Sequence, residues 1–449
     1  LEEVQCRPIS EDAGRIFFVV TTLRELAPDA LPEVRLSEED NPPELRRRAE
    51  ALTLKLKAVG DELTALLPSL PAAQRRIQTL DSELEYARVH DSLAEHGAVV
   101  SLSGFVPAPE IDKLRDAARE HGWGLLITDP EAGDSVPTLL RESKFSRLIS
   151  PLFQFLGISP GYDEIDVSGG VLIFFTIFYA MIIGDAGYGL VFLAATLLAK
   201  WKFRNRPAAV LPLRMMTVLS VAAIVWGVLT NNYFGTAPLP QLSLKFFTQE
   251  GVKDANVQAF CFALAVAQLS LGRIWRAIHD GNLRSIGRNL GWMLILWGNF
   301  FLTIRLIVWP GEFPVYMYWL YGIGLVLVVC CDINWKNVAD IFQFPFNIIG
   351  SFVDVLSYIR LFAVGMAGYY IAFSFNGMGV SIWKASPYFL IFGILVILFG
   401  HLLNIGLCVL SVLVHGVRLN TLEFSNHVGL SWSGSNFKPF KIHKQSEEN

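Results

Sequence analysis

Seven apolar stretches constrain this chain more than any other feature. They lie at about 171–199, 212–230, 256–278, 289–308, 315–331, 345–376 and 387–418. A helix needs about 20 apolar residues to cross the roughly 30 Å hydrocarbon core of a bilayer. In that medium each backbone N–H and C=O must be satisfied inside the protein, so a series of such stretches predicts a helical bundle. Composition agrees: 52% of the residues are hydrophobic and only 17% are charged, too apolar for a soluble domain. The charges crowd into the first 150 residues. The sequence therefore predicts two regions, a polar one over 1–150 and a membrane one over 151–449.

The loops set the expected orientation. "KWKFRNR" (200–206), "RIWRAIHDGNLRSIGR" (273–288) and "NFKPFKIHK" (436–444) are basic, whereas "WPGEF" (309–313) carries only Glu312. The positive-inside rule places the first set in the cytoplasm. If the polar N-terminal region is cytoplasmic too, the stretch 171–199 must cross twice. Its centre, "GDAGYG" (184–189), has the glycines and the aspartate that a tight break requires. The expectation is eight crossings, the last two long and tilted because they exceed the bilayer thickness.

In the polar region, Leu45, Ala49, Leu52, Leu56, Val59, Leu63 and Leu66 alternate in steps of four and three. After "PSLP", Ala73, Ile77, Leu80, Leu84 and Ala87 resume the alternation. This is a heptad seam, and the prolines between its halves predict an antiparallel coiled-coil hairpin over about 43–96. The residues from about 98 to 140 read as a strand, a helix begun near Pro109 and Glu110, and a second strand, a small α/β lobe. "RIFFVVTTLRELAPDAL" reads as part of a similar lobe. The expected fold is an N-terminal arm of α/β lobes and a coiled-coil hairpin, followed by an all-α polytopic domain. The chain starts at Leu1 with no methionine or signal pattern, so it is expected to be N-terminally incomplete.

The polar residues of the last two spans carry the functional argument. Burying a guanidinium near the middle of a span costs at least about 2.5–3.5 kcal/mol, yet Arg360 stands in "VLSYIRLFAVGMAGYY" beside Asp354 and Ser357. Gly365, Gly368 and Ala372 follow as a small-residue face suited to close approach by a partner. In the final span His401, Asn404, Cys408, Ser411, His415 and Arg418 recur every three or four residues, one stripe on a helix. Such a stripe must face protein or water; it reads as an aqueous half-channel, or else as a polar helix–helix seam. Asp185 reads as the cap of the "GDAGYG" turn or as part of an ion path. Gln268 reads as a packing hydrogen-bonder or a pathway residue. Cys6, Cys261, Cys330, Cys331 and Cys408 show no metal-ligand spacing, and no P-loop motif occurs.

"VPTLL", "FFTIFYAMIIGDAGYGLVF", "VLSYIRLFAVGMA" and "HLLNIGLCVLSVLVHGVRLNTLEFSNHV" with "FKPF", in this order, resemble the a subunit (subunit I) of rotary V-type ATPases. The resemblance implies a prokaryotic plasma-membrane protein with its arm and C-terminus in the cytoplasm. It implies a non-catalytic stator without cofactor or metal. The partners would be a proteolipid c-ring, peripheral stalk subunits, the central-stalk adaptor region, the V1 sector and membrane lipid, with no nucleic acid. Arg360 matches the family's essential arginine, which draws the ion from passing ring carboxylates and separates two half-channels for H+ or Na+. Arg418 matches a second arginine, Glu423 an acidic member of the same segment, and His415 a polar position. Cys408 stands where some relatives place a glutamate, so His401, Asn404 and Glu423 would carry the outer path. Tyr369 and Tyr370 depart from the family pattern. A secondary transporter with a midplane substrate site is the alternative; it requires repeated halves, which the sequence lacks. A membrane scaffold glued by its polar stripe is a third reading.

Overall fold

The computed structural model describes residues 5–12, 15–21, 42–97, 99–131, 133–140, 143, 145–238, 242–333 and 335–440. They fall into two compact units, one of residues up to 104 together with 439 and 440, and one of residues 105–438.

In the first unit, β1 (Gln5–Asp12) and β2 (Arg15–Thr21) form an antiparallel pair. The rest of "RIFFVVTTLRELAPDAL" lies outside the described residues. Helix α1 (Pro42–Leu66) is followed by a 3₁₀ turn over Leu67–Ser69 and by α2 (Leu70–Asp91). The expected hairpin does not form here. Leu66, Ser69 and Leu70 all keep right-handed helical dihedrals, and the seam residues Leu52, Leu56, Val59, Leu63, Ile77, Leu80 and Leu84 are exposed. Pro68 and Pro71 explain the difference. Each sits in the first turn of a helical segment, where its missing N–H would have had no partner anyway. The prolines restart the helix instead of reversing the chain. Strands β3 (Ala94–His96) and β4 (Val99–Ser101) close the unit as a short antiparallel pair.

The second unit begins with α3 (Ile111–His121), which ends on Gly122 at φ 68°, a left-handed cap that glycine adopts without strain. The second strand expected after it is absent among the described residues: Leu125, Leu126 and Ile127 are exposed, with no neighbouring strand to pair with. Helix α4 (Ser150–Leu156) leads to α5 (Ser168–Ile183), which is apolar on every side and sits in the core with Phe178 and Ile182 fully buried. Gly184 and Asp185 break the chain, and α6 (Ala186–Lys202) leaves at 119° to α5. The "GDAGYG" break is thus real.

Helix α7 (Pro207–Leu229) packs on α6 so closely that a Cβ on Gly227 would lie 2.0 Å from the Ala186 nitrogen. A short α8 (Lys245–Thr248) precedes α9 (Lys253–Asp280) and α10 (Leu283–Thr303), the latter continued by a π turn to Val308. Helix α11 (Val315–Cys331) crosses α10 through the facing glycines Gly291 and Gly324. Helices α12 (Val338–Leu356) and α13 (Ile359–Ala385) together form one apolar run of 48 residues. Helix α14 (Leu390–Ser411) continues through π segments at Val412–Gly416 and Leu419–Phe424 to α15 (Ser425–Val428), a run of 39 residues. At 1.5 Å per residue both runs exceed the roughly 30 Å core, as expected.

Among the described residues five helices are long and apolar enough to span a bilayer. The α5–α6 pair and the shorter α11 add further apolar segments. All seven apolar stretches of the sequence are accounted for by helices, and the chain is an integral membrane protein.

Candidate functional site

The site is built around the joint between α12 and α13. Ser357 and Tyr358 form a turn there: the Ser357 N–H still donates to the Val353 carbonyl, but those of Arg360 and Leu361 reach back only three residues. Arg360 thus projects from the first turn of α13. Its Nη2 donates to Ser357 Oγ at 2.9 Å and lies 3.5 Å from Glu423 Oε1. Arg418 Nε lies 3.6 Å from the same oxygen. Two guanidiniums share one carboxylate, so the cluster holds a surplus positive charge. Both contacts are long for a charge-assisted hydrogen bond. Glu423 Oε2 is buried without a hydrogen-bond partner among the described residues.

The expected stripe on the last span is modified by the π segments. Asn404 and Cys408 are buried and His401, Ser411 and His415 are half-buried on the inward face. A π turn holds more residues than an α turn, so the face drifts below position 411. Arg418 therefore turns outward, with 52% of its side chain exposed, and Glu423 turns inward, with 6% exposed. His415 Nδ1 is buried and unpartnered among the described residues.

Above this cluster a directed chain of hydrogen bonds runs through the stripe. Asn404 Nδ2 donates to the Gly368 carbonyl at 2.7 Å and to Tyr188 Oη at 3.0 Å. The single Tyr188 proton is then free for His401 Nδ1, 2.7 Å away. That leaves the imidazole proton on Nε2, facing Asn376 Oδ1 at 3.1 Å, and Asn376 Nδ2 donates onward to the Phe234 carbonyl at 2.7 Å. Phe234 holds a positive φ of 51°, a strained backbone for an aromatic residue. Its ring packs edge-on against Tyr188 and His401.

Asp185 caps α6. Its Oδ1 accepts the Gly187 and Tyr188 N–H groups and its Oδ2 the Gly235 N–H, and no cation is needed to explain it. Gln268 is a fully buried packing hydrogen-bonder, accepting from Tyr358 Oη at 2.7 Å and donating to Asn420 Oδ1 at 2.9 Å. Asp354 Oδ2 meets His427 Nε2 at 3.0 Å, and His427 Nδ1 accepts from Arg273 Nε at 2.9 Å.

The face of Gly365, Gly368 and Ala372 is not left open to a partner. A Cβ on Gly365 would lie 2.7 Å from the Met181 carbonyl. Gly368 faces Asn404, and Ala372 faces Gly235. The exposed face is another one: Ala363, Ala367, Tyr370 and Ser374 follow Arg360 in steps of three and four and are all exposed. Tyr369 instead lines a cavity of about 400 Å³, with the Lys253 ammonium 5.6 Å from its ring centre.

Tyr188, Asn376, Asn420, Arg273 and His427 were not singled out from the sequence. Tyr188 lies inside "GDAGYG", and His427 stands one turn after Glu423; only the second spacing was a usable signal. Among the described residues no cluster of His, Cys, Asp and Glu could hold a metal ion.

No protein-family model matches the chain, but related proteins do. It is 34% identical over 428 residues to the V-type ATP synthase subunit I of Borreliella burgdorferi, covering 87% of this chain and 69% of that protein. It is 32% identical over 475 residues to V-type ATP synthase subunit I 1 of Treponema pallidum, covering 98% and 76%. An archaeal A-type ATP synthase subunit I, from Pyrococcus horikoshii, is 25% identical over 388 residues, covering 83% and 58%. The polytopic helical fold and these relatives agree: the chain belongs to the subunit I family of V-type and A-type ATP synthases, membrane subunits of a rotary ATPase.

Proposed function

We propose that this chain is the ion-translocating stator of its rotary ATPase, carrying two half-channels for H+ or Na+ beside a ring of carboxylate-bearing subunits. The observation that carries this reading is the Arg360–Glu423–Arg418 cluster, with two cations and one anion where the two long apolar runs meet. Arg360 cannot lose its proton and has five N–H donors, few of them engaged here. A ring carboxylate drawn to about 4 Å, at an effective dielectric of about 20, would have its ionised form favoured by about 4 kcal/mol, or roughly three pKa units. It would therefore give up its cation on meeting the arginine and rebind one after leaving it. The exposed face of Ala363, Ala367, Tyr370 and Ser374, which continues from half-buried Arg360, supports contact with such a ring.

In this reading the Asn404–Tyr188–His401–Asn376 chain lines the external path; Glu423, expected on that path from the sequence resemblance, stands instead against Arg360 and Arg418 and lines the cytoplasmic one with Asp354, Ser357, His415 and Arg418, with Ser411 between the two. Eight crossings, counting α5 and α6 separately, put the N-terminal arm and the C-terminus in the cytoplasm, where the arm would dock peripheral stalk and V1 components. ATP chemistry belongs to other subunits. Cysteines placed singly at 401, 404, 411, 415 and 418 test the channel by labelling with a water-soluble thiol reagent in the assembled complex. Labelling from opposite sides at the two ends is expected; uniform protection at all five positions would overturn the half-channel reading.

A further inference from the structure

Asp354, His427 and Arg273 come from α12, α15 and α9 and stand in file, with His427 only 2% exposed. An arginine Nε has only a proton to give, so the 2.9 Å contact makes His427 Nδ1 the acceptor. The ring proton is then on Nε2 and is donated to Asp354 Oδ2 at 3.0 Å. The imidazole is neutral and bridges a fixed cation to a carboxylate. Arg273 is held from its other side by the Trp292 ring, 5.4 Å from its guanidinium carbon. Arg276 lies beyond, against Gly429. This file cannot hand protons along, because a proton leaving through Nδ1 would have to be accepted by a guanidinium.

Its placement indicates what it does instead. His427 lies one helical turn after Glu423, and Asp354 lies six residues before Arg360 on the joined α12–α13 run. Asp354–His427 and Arg360–Glu423 are therefore two rungs between the same pair of elements. The Arg360–Glu423 rung is long and leaves Glu423 Oε2 unpartnered, so it does not fix its own spacing. The shorter rung does.

We propose that His427 is a positioning residue: as a neutral bridge between Asp354 and Arg273, it sets where Glu423 stands against Arg360. This rests on the ion-translocation reading above, in which that spacing governs how strongly the arginine meets a ring carboxylate.

The test is ATP-driven cation uptake by the assembled complex in vesicles, with ATP hydrolysis and subunit content measured on the same preparation. His427→Leu removes both bonds, and the ions moved per ATP should fall by at least about tenfold, since small misplacements of a working group are costly. His427→Gln offers one acceptor and one donor on a group that does not titrate, and should restore uptake to within about twofold of the parent with the parent's pH profile. A Leu variant that pumps normally would overturn the proposal. So would a Gln variant that fails to assemble, assembles but does not pump, or pumps with an altered pH profile. If the Leu variant does not assemble, the Gln variant decides alone. Normal pumping by Arg360→Ala would instead refute the translocation reading, so the two failures are distinguishable.

Discussion

Arg360 and Glu423 face one another at 3.5 Å across two helical runs, and Arg418 meets the same carboxylate oxygen at 3.6 Å. Glu423 thus tempers the charge of Arg360 without cancelling it. It leaves the guanidinium cationic and only loosely held, able to exchange this carboxylate for another.

Replacing Glu423 by Gln should upset that balance. With the anion gone, nothing competes with an incoming carboxylate for Arg360, and release from the arginine should become slow. We expect ATP-driven uptake to fall by at least about tenfold with assembly retained, in line with the loss of a buried carboxylate that partners two cations. Uptake equal to the parent's would show that Glu423 does not modulate the arginine.

Tyr188 bridges the side chains of His401 and Asn404. Tyr188→Phe leaves His401 Nδ1 without its donor and removes one of the two acceptors of Asn404. Stranding such buried groups costs about 1–3 kcal/mol. The thermal midpoint of the purified complex should drop, and cation uptake should slow. A variant unchanged in both would show that the hydrogen-bond chain is dispensable.

Outside the membrane spans, Glu164 ties the segment after α15 to the turn before α5. Burial tends to raise its carboxyl pKa, but hydrogen bonds from Ser431 Oγ, the Gly161 N–H and the Ser431 N–H outweigh it and hold the group below its ordinary value of 4.5. A depressed folded-state pKa contributes stability that is present above the unfolded value and lost as pH falls through the folded one. Stability should therefore decline as the pH falls below the ordinary carboxyl value of 4.5, and Glu164→Gln should decline less over the same acid range. Melting curves of parent and variant that stay parallel across that range would exclude the contribution.

The apolar stretches were readable because lipid leaves a single chain segment only one way to satisfy its backbone, and the α5–α6 break because glycine and aspartate announce it. Arg360 and Asn404 stood out because polar groups in such segments are too costly to be incidental, whereas Glu423 came only from the family resemblance. The π segments "VLVHG" and "LNTLEF" were not, since neither contains proline and the single Gly416 comes at the end of its segment. That concealed the turn of Arg418 outward and Glu423 inward. The partners Tyr188–His401 and Asp354–His427 are 213 and 73 residues apart in sequence, so only the packed fold reveals them. "LPSLP" misled for a local reason: proline at the start of a helical turn breaks nothing.

The central claim is that Arg360 both strips the ring carboxylates and keeps the two half-channels apart. The most direct measurement compares two fluxes in vesicles holding the parent complex or Arg360→Ala: cation uptake driven by ATP, and passive cation leak down an imposed gradient without ATP. The variant is expected to assemble, to lose ATP-driven uptake and to leak faster than the parent. Normal uptake with an unchanged leak would contradict the account.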